Sequence, residues 1–89
     1  MILAMYFVYV LLSEDHKYYV GITNDLERRL EQHNNGFSDF TSKYRPWKLI
    51  YYEAYTSEKL AKTRERKLKN HARGFQELKK RILDESGEG

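Results

Sequence analysis

The chain has 89 residues, 40% of them hydrophobic, enough for one compact core and too few for two. It contains no cysteine, which excludes disulfides and thiolate metal sites and fits a cytoplasmic, reducing location, and its three histidines are too scattered for a zinc cluster. Net charge is +3 but unevenly spread: residues 58–82 carry ten Lys or Arg against three Glu, whereas residues 1–57 carry six against seven. A basic cluster of this kind attracts polyanions, although a solvated helix face without a partner has the same charge signature.

The opening run, Met1 to Leu12, is uncharged. It is shorter than the about 20 apolar residues of a membrane-spanning helix. It also lacks the basic leader and small-residue cleavage site of a signal peptide, so a buried strand and no membrane association are expected. Tyr6 to Leu12 and Tyr18 to Ile22, aromatic and β-branched on either side of the polar Ser13 to Lys17, predict an antiparallel hairpin. Pairing Leu12 with Tyr18 sets Leu11 opposite Tyr19 and Tyr9 opposite Gly21. Tyr9 and Tyr19 then share a face, and the glycine leaves room beside the Tyr9 ring. The plainer alternative is a pair of core aromatics with hydroxyls at the edge.

Asn24, with Glu27 three residues on, predicts a capped helix over about residues 25–34, ended by Asn34, Asn35 and Gly36. At about 100° per residue, Leu26, Leu30 and His33 form one stripe, Arg29 borders it, and Glu27, Arg28, Glu31 and Gln32 point away. Arg29 and His33, four residues apart, can both reach a substrate lying over the hairpin, the guanidinium as a phosphate clamp. Against that stands a core-edge histidine and a surface ion pair. Phe37 to Pro46 reads as a loop with one helical turn, Trp47 to Tyr55 as a third strand, and Ser57 as the cap of a helix over 58–70. Gly74 marks a break before a short helix through Leu83, and residues 84–89 form an acidic tail expected to fray. In the long helix Leu60, Ala61 and Leu68 mark the buried stripe, with Glu65 on its flank among Arg64, Arg66 and Lys67. Intrahelical pairing explains most such acids; a carboxylate aimed at a divalent metal is the other reading. The order β-β-α-β-α-α over residues 1–83 describes an α+β domain, a small three-stranded antiparallel sheet flanked by helices.

Phe7-Val8-Tyr9 and Tyr19-Val20-Gly21 resemble the two short segments that name the GIY-YIG nucleases. The stretch from Thr23 through Leu30 to His33 is similar to the helix after the second segment, with an arginine eight positions past its glycine. Arg64-Glu65-Arg66-Lys67-Leu68-Lys69 resembles the helix bearing that family's metal-binding glutamate. The likeness spans about residues 6–82, and it is greatest to short stand-alone bacterial members related to the nuclease region of the excision-repair C subunit. It implies that Tyr9 and Tyr19 are the motif tyrosines, Arg29 the catalytic arginine, His33 the active-site histidine and Glu65 the ligand of Mg²⁺ or Mn²⁺. The implied activity is metal-dependent endonucleolytic hydrolysis of phosphodiesters, in DNA more than RNA, in repair or processing. Lys43, Arg45, Lys62, Arg66 and Lys69 are the candidate contacts to nucleic acid. Two departures stand out: Phe7 replaces the first glycine of the name, and only Asn70 follows Glu65, too early for the later asparagine some members use.

Two other functions compete. One is a non-catalytic nucleic-acid-binding module with a vestigial site, in which Tyr44 and Trp47, near Lys43, Arg45 and Lys48, stack on unpaired bases unless they are core. The other is an interaction subunit whose basic helices take an acidic protein. Neither oligomeric state nor base-specific readout has a signature in the sequence.

Overall fold

The structure, a computed structural model, describes residues 4–85. Met1 to Leu3 of the apolar opening run and residues 86–89 of the expected acidic tail lie outside the described residues. The elements are β1 (Tyr6–Ser13), β2 (Tyr18–Thr23), α1 (Leu26–Asn34), α2 (Asp39–Ser42), β3 (Trp47–Tyr55), α3 (Glu58–Asn70) and α4 (Ala72–Glu85). The three strands form one antiparallel sheet in the order β2-β1-β3. The hairpin register is the expected one, with Leu12 opposite Tyr18, Leu11 opposite Tyr19 and Tyr9 opposite Gly21.

A central strand covered on both faces has no polar side to show, which is why β1 reads as an unbroken apolar run. Val8, Val10 and Val20 on one face pack with Ala61 and Leu68 of α3 and Leu78 of α4. Tyr9, Leu11 and Trp47 on the other lie with Leu26 and Leu30 of α1. The Asn34 side chain closes the α1 end of that layer, its Oδ1 accepting from Trp47 N at 2.6 Å and its Nδ2 donating to Trp47 O at 3.1 Å. Opposite Val8, Glu53 of β3 accepts a two-pronged bond from Arg64, Nε at 2.9 Å and Nη2 at 3.0 Å, together with the hydroxyls of Tyr51 and Tyr55 at 2.7 Å each. Burial alone would raise the Glu53 carboxyl, but Arg64 and the two hydroxyls outweigh it and hold the group below its ordinary value. This pair fixes how α3 is rotated on the sheet.

Several boundaries differ from expectation for local reasons. Asp25, not Asn24, caps α1: its Oδ1 accepts from Arg28 N at 3.1 Å, and Asn24 is exposed. Leu60 is exposed, because Ala61, Arg64, Glu65 and Leu68 fall at the spacing that faces the sheet. The break between the last two helices falls at His71, whose extended backbone ends α3, and Gly74 lies within α4. That helix continues to Glu85, two residues past the expected end. Among the described residues no helix is long and apolar enough to cross a membrane.

Gly74 has nothing within 4 Å of where a Cβ would stand. Gly74→Ala should therefore raise stability by about 0.5–1 kcal/mol, the usual gain at an unobstructed helical position. For a domain of this size that is a rise of roughly 2–8 °C in Tm, readable by circular dichroism.

Candidate active site

Tyr9 stands on the central strand, 2% exposed, with its ring over Gly21. A Cβ at Gly21 would come within 2.9 Å of Tyr9 Cε1 and overlap its hydroxyl. Removing that one side chain is what lets the Tyr9 hydroxyl cross to the β2 side of the sheet. There Oη lies 2.9 Å from His33 Nε2 and accepts from Arg29 Nε at 3.3 Å, both groups arriving from α1 one turn apart. The other imidazole nitrogen, Nδ1, is 2.8 Å from Thr41 Oγ1 of α2, and His33 and Thr41 are both fully buried. Arg29 Nη1 donates to Gln32 Oε1 at 2.9 Å, and the Tyr19 hydroxyl also acts on the guanidinium. The half-buried Tyr19 ring lies 4.6 Å from the imidazole and 6.2 Å from the Tyr9 ring, centre to centre.

Glu65 joins this group from α3. Its carboxylate pairs with Lys69 Nζ at 3.2 Å, and the same ammonium lies 5.8 Å from the centre of the Tyr19 ring. The neighbouring Arg64–Glu53 pair holds the helix in this orientation. The structure thus brings Tyr9, Tyr19, Arg29 and His33 together, with Glu65 joined to the Tyr19 side of the group through Lys69.

A family model of the GIY-YIG catalytic domain matches residues 5–80. The chain belongs to the GIY-YIG nuclease superfamily. Its relatives include the UPF0213 protein CPE1444 of Clostridium perfringens, 39% identical over 70 residues that span 78% of this chain and 75% of that one. The UPF0213 protein YazA of Bacillus subtilis is 35% identical over 74 residues, 82% of this chain and 75% of its own. Among solved structures, the solution NMR structure of the UPF0213 protein BH0048 from Bacillus halodurans matches with a TM-score of 0.53 and 27% identity. That match covers 84% of this chain and 83% of the other.

The electrostatics of the Tyr9–His33–Arg29 group follow from its burial. Loss of water pushes the Tyr9 hydroxyl up to about 12 against the pull of the Arg29 bond, and Tyr19 and Glu65 add to the rise, so the phenol keeps its proton at neutral pH. Burial first, and then the positive charge of Arg29, push His33 down to about 4, leaving the imidazole neutral. Burial also works to lower Arg29, but the hydroxyls of Tyr9 and Tyr19 outweigh it and hold the guanidinium above its ordinary value.

His33 therefore gives the fold a definite pH dependence. Its folded value lies below the ordinary 6.5, so its neutral form contributes fully above pH 6.5. As pH falls from 6.5 to about 4 the unfolded chain takes up a proton that the folded chain refuses, and stability declines through that window. The loss is on the order of 3 kcal/mol by the time the lower value is reached. Urea midpoints of wild type and His33→Asn between pH 7 and pH 4.5 measure it. The wild-type slope should be the steeper, and equal slopes would place the titration elsewhere.

The candidate nucleic-acid contacts are dispersed around this group. Lys43 and Arg66 are exposed and make no ion pair with a described residue. Lys62 pairs with Glu58 at 3.1 Å on an exposed turn of α3. Arg45 is exposed but donates to Ser42 O at 3.2 Å and Asn34 O at 3.4 Å. Trp47, one of two aromatics considered for base stacking, is buried with its indole N–H donating to Thr41 O at 2.7 Å, so it is core. Tyr44 is half-buried, with Lys17 5.6 Å above its ring. Sequence reasoning missed Thr41 and turned Gln32 toward solvent. A buried hydroxyl on a four-residue turn has no periodicity to betray it, and a glutamine reaching back three residues is not visible in helix phasing.

Proposed function

We propose that this chain is a divalent-metal-dependent endonuclease that hydrolyses phosphodiester bonds, in DNA in preference to RNA, in the cytoplasm, as part of repair or processing. The observation that carries the reading is the convergence of a buried tyrosine–histidine pair, an arginine bonded to the same tyrosine hydroxyl, and a carboxylate from a separate helix.

Among the described residues no three His, Asp or Glu side chains cluster as metal ligands. The donor set still fits Mg²⁺ or Mn²⁺ in its nuclease role, where one or two carboxylates, several waters and the substrate phosphate complete the shell. The structure offers a stand-in for the charge, since the Lys69 ammonium already lies against Glu65. Glu65 would hold the ion, and Lys69 would release the carboxylate as it does so. Once bound, such an ion supplies positive charge to the phosphoryl and leaving oxygens.

The chain's own groups perform the remaining work. Arg29 pairs with a non-bridging phosphoryl oxygen and neutralises the charge that grows there. The attacking water gives a proton to Tyr9 Oη while the Tyr9 proton passes to His33 Nε2, 2.9 Å away. Thr41 anchors the far side of the imidazole. A phosphodiester on Arg29 also offsets the positive charge that helps keep His33 low, so the imidazole becomes the better proton acceptor when substrate is in place.

The test is cleavage of labelled single-stranded, duplex and branched DNA and RNA by pure protein with Mn²⁺ or Mg²⁺, beside EDTA. Metal-dependent cutting, stronger on DNA, is expected. Salt-sensitive binding without cutting on every substrate would overturn the enzyme reading in favour of a binding module with an idle site.

A further inference from the structure

The segment between α1 and β3 carries aromatic surface that the hydrolytic chemistry does not use. Phe37 is 72% exposed and Phe40 45% exposed. Single exposed apolar residues are ordinary. Phe40 differs because it is built into the site: its ring stacks on Tyr19 at 6.3 Å and 25°, and lies 5.2 Å from Tyr44 and 6.3 Å from Trp47. Aromatic neighbours brace the ring, and nearly half of the residue remains open. Cations outnumber acids around it, the segment's one acid being the exposed Asp39 and Lys69 being paired with Glu65. Lys43 and Arg45 are exposed on the same segment, Lys17 lies over Tyr44 at 5.6 Å, and Lys69 over Tyr19 at 5.8 Å. Rings interleaved with cations suit single-stranded nucleic acid, whose phosphates follow the charges while its exposed bases stack.

We propose that Phe40, with Phe37 three residues before it, is a stacking platform for an unpaired nucleobase beside the scissile phosphate, Lys43 holding an adjoining phosphate. The inference rests on the nucleic-acid reading above and narrows its substrate. Because Phe40 stacks on Tyr19 and Tyr19 flanks the Tyr9–His33 pair, a base on Phe40 belongs to a nucleotide at or next to the cut. A base inside a duplex has both faces covered and cannot stack there, so a nick-flanking flap, a loop or a branch is preferred over continuous duplex. The occupant is identified by charge as well as by shape. An apolar protein segment would gain nothing from the surrounding cations, whereas a polynucleotide satisfies both.

Fluorescence anisotropy in EDTA, where no cutting occurs, separates the possibilities. The substrates are a labelled single strand, a flap and a blunt duplex. The proteins are wild type, Phe40→Leu, Phe37→Ala and Lys43→Gln, with melting curves to confirm folding. Phe40→Leu keeps an apolar side chain against Tyr44 and Trp47, and it should weaken single-strand and flap binding roughly five-fold or more with little change on duplex. Its dependence of log Kd on log salt should match wild type, whereas Lys43→Gln should lower that slope by about 0.7 on the single strand. Phe37→Ala, at a more exposed position, should move binding in the same direction and reports even if Phe40→Leu folds poorly. Unchanged single-strand affinity in both phenylalanine variants, or equal losses on single strand and duplex, overturns the platform. Wild type that binds none of the three overturns the nucleic-acid reading itself.

Discussion

Glu65→Gln is expected to abolish metal-dependent cleavage while leaving the fold nearly as stable as wild type. The amide keeps the side chain's shape and its place on α3, but it removes the charge that would hold a divalent ion. That ion's contribution to phosphoryl transfer is several kcal/mol, so the rate should fall by at least about a thousand-fold. Stability loses only the half-exposed pair with Lys69 at 3.2 Å, and pairs of this i,i+4 kind are worth about 0.3–0.5 kcal/mol. Single-turnover cleavage in Mn²⁺ and a thermal melt on the same sample give both numbers. Cleavage that survives in Glu65→Gln and still needs metal would place the ion on other groups. A large drop in Tm instead would make Glu65 a structural residue.

Arg29→Ala should lower the single-turnover rate by about 10²–10³-fold, the usual cost of removing one donor from a developing oxyanion, with a much smaller effect on substrate affinity. The adjacent Arg28→Ala serves as the control. Arg28 is exposed on the far side of α1, whereas Arg29 bonds Tyr9 Oη at 3.3 Å and Gln32 at 2.9 Å. Deleting Arg28 removes one distant positive charge, and binding should change by less than about two-fold at physiological salt. The reverse ranking would mean that α1 is rotated from the position described. Arg29→Ala carries a second signature. It removes a positive charge that helps keep His33 low, so the imidazole should titrate at higher pH in the variant, as NMR of the histidine ring would show.

Much of this was legible in the sequence because strand pairing is arithmetic. Once Leu12 was set opposite Tyr18, the relation of Tyr9 to Gly21 and the shared face of Tyr9 and Tyr19 followed, and the structure has that register. The i,i+4 spacing of Arg29 and His33 was equally readable. What escaped were relations that depend on a third element. Thr41 reaches His33 from a four-residue helix, and Gln32 bends back to Arg29, neither of which has a local pattern. Leu60 is apolar at a helical position and so reads as core, yet it is exposed. Its place in the sheet-facing stripe belongs to Arg64 and Glu65, polar residues made tolerable there by Glu53 and Lys69. Asn24 lost the cap to Asp25 by a single residue, a distinction set by Thr23 Oγ1 accepting from Asp25 N at 3.1 Å.

The ring of Tyr9 occupying the space over Gly21 has a consequence for how such a sequence can drift. A larger residue at 21 collides with the phenol, and a smaller one at 9 leaves a hole against a backbone that cannot fill it. Neither position can change first without harm, so the two are coupled although they stand twelve positions apart. A lineage that gave up catalysis would still be held to this pair by packing. The motif can therefore outlast the activity, and the presence of both residues in a sequence testifies to the shape of the sheet before it testifies to the reaction.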